Sequence, residues 1–223
     1  MRVLLLGASG MIGQGVLREC LAAPDVTEIL AVVRAPLGTP HPKLHEIVRA
    51  DFTDFSALEE PLRNIDACFY CLGASSAGMS EADYRRVTVD YPVALATTLQ
   101  KASPKATFCF VSGEGSDDTG TARAMWSRVK GEAENALKAF SFRLFIFRPG
   151  YIQPMDGIVS KTASYRLMYV FAAPLYPVWR RLFPSHVTST RELGQAMLQV
   201  TRRGFARQVL GSTEINEAAH LLR

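Results

Sequence analysis

Val3-Leu4-Leu5-Leu6-Gly7-Ala8-Ser9-Gly10-Met11-Ile12-Gly13 decides the fold. The four apolar residues at its start have the pattern of a central parallel strand covered on both faces. Three glycines spaced three apart follow at once, and a helical pattern opens at Met11. In a strand–turn–helix unit each glycine has a reason. Gly7 permits the tight turn, Gly10 lets a diphosphate approach the backbone, and Gly13 lets the helix pack on the strand. The helix start then presents free N–H groups to an anion. Gly7, Ser9, Gly10, Met11 and Ile12 are therefore expected to hold the phosphates of a dinucleotide.

Outward from this unit, strand and helix patterns alternate. Strands are expected at Glu28–Val33, Ile47–Ala50, Ala67–Leu72, Thr107–Ser112 and Arg143–Arg148. Helices are expected at about Met11–Ala22, Phe55–Leu62, from Ser80 to about Lys101 with an interruption at Pro92, and at Ala122–Phe140. Ser189-Thr190-Arg191-Glu192 reads as a capping box for a last clear helix that Gly204 ends. Gln208–Leu210 reads as a small final strand. This order predicts an α/β fold, a doubly wound, mainly parallel sheet of Rossmann type with helices on both faces. Ligands of such sheets sit at the carboxyl ends of the strands. Residues 1–223 read as one nucleotide-binding domain, with 151–188 as a substrate-side, lid or interface segment.

The second strand ends in Ala31-Val32-Val33-Arg34. NAD-binding domains carry a carboxylate near this point to bond the ribose 2′-hydroxyl. Here a guanidinium stands instead, suited to a 2′-phosphate. NADP is thus expected in preference to NAD.

Composition narrows the function classes. The 223 residues are 48% hydrophobic and 21% charged, a balance that suits a globular protein. The net charge of +4 is spread among interspersed acids, so nucleic-acid binding is not expected. Cys68 and Cys71 lie three apart on a predicted strand and so point to opposite faces, unable to share a disulfide or a metal. Buried free thiols suit a reducing compartment. His41, His45, His186 and His220 have no ligand spacing, and no metal is expected. The apolar run Leu167–Trp179 contains Pro174 and Pro177 and is too short to span a bilayer. The apolar N-terminus is too short for a signal sequence. Cytoplasmic placement follows as an expectation. The aromatic and basic residues of 161–183 are open to several uses: core packing, a substrate lid, the interface of a homodimer, or peripheral membrane contact.

Several stretches together resemble the short-chain dehydrogenase/reductase superfamily: the glycine turn, Asp51-Phe52, Cys71-Leu72-Gly73-Ala74, Val111-Ser112-Gly113, Val129-Lys130-Gly131-Glu132 and Arg148-Pro149-Gly150-Tyr151-Ile152. The combination is most similar to the atypical branch of Tat-interacting-protein-like and sugar-epimerase-like proteins. The resemblance implies that Asp51 and Phe52 contact the adenine, and that Leu72, Gly73 and Ala74 run along the cofactor. It also implies that Pro149, Gly150, Tyr151 and Ile152 touch the nicotinamide, and that Ser112 and Lys130 are catalytic. From the residues alone, Asp51 could equally cap a helix, Ser112 end a strand, Lys130 lie on a surface and Pro149-Gly150 make a turn.

The family pattern breaks at one position. Its catalytic tyrosine stands four residues before the lysine, on the same helix face; here that residue is Trp126. An indole N–H donates a hydrogen bond but holds no proton that can transfer near pH 7. Two function classes follow. One is an NADP-dependent oxidoreductase or epimerase on a small carbonyl or hydroxyl substrate, using another acid. The other is a non-catalytic NADPH-binding regulator or interaction module.

Overall fold

A computed structural model describes residues 1–158 and 176–221. Its frame is a seven-stranded sheet: β1 (Arg2–Leu6), β2 (Glu28–Val33), β3 (Leu44–Val48), β4 (Ala67–Tyr70), β5 (Thr107–Val111), β6 (Arg143–Arg148) and, after a short separate sheet, β9 (Val209–Gly211). The spatial order is β3-β2-β1-β4-β5-β6-β9, and every pair is parallel. β7 (Tyr151–Gln153) and β8 (Val187–Ser189) form the separate parallel pair. The expected doubly wound α/β fold is present, with the switch in strand order between β1 and β4.

Alternation along the strands builds two cores. Val3, Leu5, Phe69, Cys109 and Phe147 face one side, under α1 (Met11–Ala22), α6 (Thr190–Arg203) and α7 (Ser212–His220). Leu4, Leu6, Cys68, Tyr70, Phe108 and Phe110 face the other, under α3 (Tyr91–Ala102) and α4 (Met125–Lys138). Val3, Leu4, Leu5 and Leu6 are all 0% exposed, as a central strand covered on both faces requires. Cys68 belongs to one core and Cys71 packs against the other, and both thiols are free.

Some boundaries differ from expectation. β3 begins at Leu44 rather than Ile47, because an edge strand exposed on one side carries no continuous apolar run to mark it. The helix expected over 55–62 is one 3-10 turn, Ser56–Leu58, followed by turns. Pro92 does not break its helix. From α2 (Glu81–Arg85) the chain passes through a widened π turn, Arg86–Asp90, directly into α3, with Pro92 in the first positions of α3. The wider turn accommodates a ring that has no N–H and crowds the preceding turn. Ser189 caps α6 as read, accepting from the Glu192 N–H at 3.1 Å, and Gly204 ends it at φ +76°.

Of the aromatic and basic segment, 159–175 lies outside the described residues. Beyond it, α5 (Tyr176–Leu182) leads into β8. Two glycines bring α1 and α6 into contact. A Cβ on Gly15 would stand 2.6 Å from the Thr190 Cβ, and one on Gly194 would stand 2.9 Å from the Glu19 side chain. Among the described residues no helix is long and apolar enough to cross a membrane.

Candidate functional site

The glycine turn lies at the carboxyl end of β1. Gly7 has φ +80°, and a Cβ there would meet the Leu72 nitrogen at 2.5 Å. The Gly10 N–H donates to the Gly7 carbonyl at 2.8 Å, closing the turn. A Cβ on Gly13 would sit 2.0 Å from that same carbonyl. α1 begins with Gly10 as its cap, so no side chain satisfies its first N–H groups, and no acidic residue lies in its first turn. The cap therefore leaves the positive end of the helix open to an anion. Gly7, Ser9, Gly10 and Met11 line a cavity of about 330 Å³ together with Arg34, Phe52, Leu72 and Gly73. Ile12 is half-buried and packs toward the core behind the turn.

A second cavity of about 520 Å³ adjoins the first. Its walls are Ala8, Ser9, Gln14, Leu17 and the 34–39 loop, so Ala8, Ser9 and Arg34 belong to both cavities. Arg34 is exposed and has no ion pair or hydrogen bond among the described residues. Among the described residues no Asp or Glu lines either cavity. Phe52 is buried, with its ring edge-on to Phe55, and lines the first cavity. Asp51 beside it is exposed. Its carboxylate accepts from the Thr53 N–H and hydroxyl, both at 2.7 Å, and these bonds hold it below the usual carboxylate range. Ala74 is exposed, one residue beyond the cavity wall.

At the end of β5 the loop 113–118 is stitched to α4. The Asp117 N–H donates to the Ser127 carbonyl at 3.0 Å, and Asn135 donates to the Asp118 carbonyl at 2.8 Å. A Cβ on Gly131 would lie 1.8 Å from the Asp117 carbonyl, so only glycine permits this approach. The seam aims Lys130 at β5, where its Nζ donates to the Ser112 carbonyl at 2.9 Å. Burial pulls the Lys130 ammonium down to about 8, against the opposing pull of Glu134. Trp126 packs its indole edge 3.1 Å from where a Cβ on Gly115 would stand.

The Ser112 hydroxyl faces inward. It donates to Glu134 Oε1 at 2.5 Å and lies 2.8 Å from the Ser116 hydroxyl. Glu134 is fully buried, and Arg148 clamps it with two guanidinium nitrogens. Sequence reasoning missed Glu134, although its position four residues after Lys130 puts both on one face of α4. The Arg148-Pro149-Gly150 stretch is thus tied by its arginine to α4.

Pro149 is buried, and its carbonyl accepts from the Glu114 N–H at 2.9 Å. A Cβ on Gly150 would lie 2.3 Å from a Glu114 carboxylate oxygen and 2.5 Å from the His186 carbonyl, so the missing side chain lets three segments meet. Tyr151 packs edge-on to Trp179 with ring centres 5.4 Å apart, and Ile152 is buried in β7. Glu114 Oε1 and His186 Nδ1 are hydrogen-bonded at 2.5 Å. This pair also escaped the sequence. The partners are 72 residues apart, and no local spacing links them.

Comparison with known proteins fits this geometry. The model of the NAD dependent epimerase/dehydratase family matches residues 3–119. The chain is 32% identical to Protein fmp52, mitochondrial, of Emericella nidulans, over 67% of this chain and 66% of that protein. It is 30% identical to Protein HTATIP2 of Rattus norvegicus, over 67% of this chain and 62% of that protein. The matched region is thus just under two thirds of the length of these relatives. Among solved structures, MoeE5 in complex with UDP-glucose and NAD superposes with a TM-score of 0.65 at 19% identity, covering 95% of this chain and 75% of that one. The cytoplasmic placement expected from the short apolar runs is overturned by the fmp52 relatives, which are named mitochondrial. Hydrophobic run lengths report on membrane spans and are silent on organelle. With its glycine turn inside a family match that covers more than half its length, the chain belongs to the NAD dependent epimerase/dehydratase family.

Proposed function

We propose that the chain is an NADP(H)-dependent oxidoreductase or epimerase acting on a small carbonyl or hydroxyl compound. One observation carries the choice of cofactor. The Arg34 guanidinium has no partner among the described residues, and it stands where the cavity of the glycine turn meets the cavity under the 34–39 loop. The MoeE5 complex contains NAD. In this chain the absence of a carboxylate from both cavity walls, with a guanidinium at their junction, favours a 2′-phosphate over a bare 2′-hydroxyl.

The fit to a dinucleotide rests on the uncapped start of α1 and on the glycine positions where any Cβ would strike backbone. The first N–H groups of α1 grip the diphosphate. Phe52, Leu72 and Gly73 wall its adenosine side, and Asp51 at the rim contacts the adenine. Ile12 supports the turn from behind, and Ala74 continues the wall. Pro149, Gly150, Tyr151 and Ile152 border the nicotinamide, and Lys130 holds the neighbouring ribose hydroxyls. When bound, the nicotinamide supplies hydride transfer. Ser112, with its hydrogen on Glu134, positions the end of β5.

Titration calorimetry with NADPH and NADH tests the choice. NADPH should bind the wild type more tightly, and Arg34→Ala should weaken NADPH at least tenfold while leaving NADH nearly unchanged. Tighter binding of NADH by the wild type would overturn the assignment.

A second function is favoured by Trp126: NADPH binding without turnover, as a regulatory or interaction module. Trp126→Tyr separates the two. A site otherwise built for catalysis should gain carbonyl-reducing activity, followed by nicotinamide absorbance. A pure binding module should gain none.

A further inference from the structure

Beside the carboxyl ends of β5 and β6 lies a cavity of about 360 Å³ that shares only Tyr151 with the dinucleotide assignment. Tyr151, Trp179, Phe183 and Val187 give it apolar walls, and its polar edge is the Glu114–His186 pair. The pair is held in place from several sides. The Glu114 N–H is fixed by the Pro149 carbonyl at 2.9 Å, and the His186 N–H donates to the Phe183 carbonyl at 3.0 Å. The His186 carbonyl accepts from Tyr151 at 2.8 Å, and Gly150 leaves the space in which they meet. Nδ1 is bonded to the carboxylate, and Nε2 has no protein partner among the described residues. A carboxylate only accepts, so the ring hydrogen lies on Nδ1 and the neutral imidazole presents the Nε2 lone pair as an acceptor. Lys130 is close by. Its Nζ is 4.0 Å from the Cβ position of Gly113, the residue before Glu114.

We infer that this cavity is the substrate subsite, that it takes compounds in which an apolar ring carries a hydroxyl group, and that His186 Nε2 accepts that hydroxyl's hydrogen. This rests on the proposed oxidoreductase function and names its substrate class. The aromatic walls suit the ring, since edge and face contacts between rings add to simple burial. The volume suits a ligand of one or two rings rather than a nucleotide sugar. The dyad stands in for the phenol missing at Trp126: an ionisable group, oriented by a fixed partner and exposed to the ligand.

The test is binding without cofactor, using 1-indanol and its oxygen-free counterpart indane, followed by saturation-transfer NMR and competition titration. The wild type should bind 1-indanol about fivefold more tightly than indane, as one hydrogen bond from the hydroxyl implies. His186→Ala should erase that preference, and His186→Gln, whose amide oxygen keeps an acceptor, should restore part of it. Trp179→Ala should weaken both ligands. His186 is well exposed, so its variants should fold, which circular dichroism checks. Failure of 1-indanol to bind, an unchanged preference in His186→Ala, or binding indifferent to Trp179→Ala would each overturn the assignment. Calorimetry with NADPH on the same samples separates the two proposals. Loss of NADPH binding with intact indanol binding removes the cofactor assignment alone, and the reverse removes the subsite alone.

Discussion

Arg148→Met is expected to be among the most damaging substitutions outside the apolar cores. Glu134 has no exposed surface, and its carboxylate is held by the Arg148 guanidinium and the Ser112 hydroxyl. Removing the guanidinium leaves a buried anion with one neutral donor. Breaking such a pair from one side costs about 3–5 kcal/mol, against a typical total stability of about 5–15 kcal/mol. Arg148 keeps 23% of its side chain exposed, so water can enter the vacated space, and the lower end of the range applies. The assay is urea unfolding followed by tryptophan fluorescence at pH 7 and pH 5. In the variant the stranded carboxyl binds its proton more tightly when folded than when unfolded, so stability should fall as pH rises and part of the loss should return at pH 5. The double variant Arg148→Met with Glu134→Leu removes the charge altogether and should recover most of the stability. A loss below about 1 kcal/mol in the single variant, or no recovery in the double, would refute the account of Glu134 as a charge that needs its partner.

Gly13→Ala forces a Cβ to within 2.0 Å of the Gly7 carbonyl and should cost about 2–3 kcal/mol on thermal unfolding while displacing the turn enough to abolish NADPH binding. Lys130 is held down to about 8 by burial, so between pH 8 and its ordinary range the unfolded chain binds more protons than the folded one. Its contribution should therefore make stability rise with pH across that window, and Lys130→Met should flatten the rise in denaturant titrations. Burial pushes the Cys20, Cys68 and Cys109 thiols well above their ordinary range, and a colorimetric thiol reagent at pH 8 should leave these three unmodified until denaturant is added.

The sheet was legible because its strands are locally encoded. A continuous apolar run such as Val3–Leu6 or Phe108–Val111 belongs to a parallel strand buried on both sides, and glycines at Gly7, Gly10 and Gly13 allow one kind of turn. The edge strand β3 was blurred because only one of its faces packs. The run from Glu81 to Ala102 kept its helical course past Pro92 by widening the turn just before it, where the ring finds room. In the candidate site, Lys130 and Ser112 could be picked out one by one, but the direction of the Ser112 hydroxyl could not. It depends on a carboxylate 22 residues away whose charge is tolerated only because Arg148, on another strand, reaches it. Glu114 and His186 were invisible for the same reason at larger separation. Each is unremarkable in its own stretch, and the pair exists only once β8 is laid beside β7.

Gly15 and Gly194 bring two helix backbones close enough to touch, and Thr190, the residue met by Gly15, begins the helix that continues β8. The helix at whose start the glycine turn lies and the strand that follows His186 are therefore one girder. The span from the Met11 amide to the imidazole behaves as a ruler whose length is set by main chain rather than by any adjustable side chain. A larger residue at position 15 or 194 would recalibrate that ruler, shifting the glycine turn against the Glu114–His186 pair without touching either.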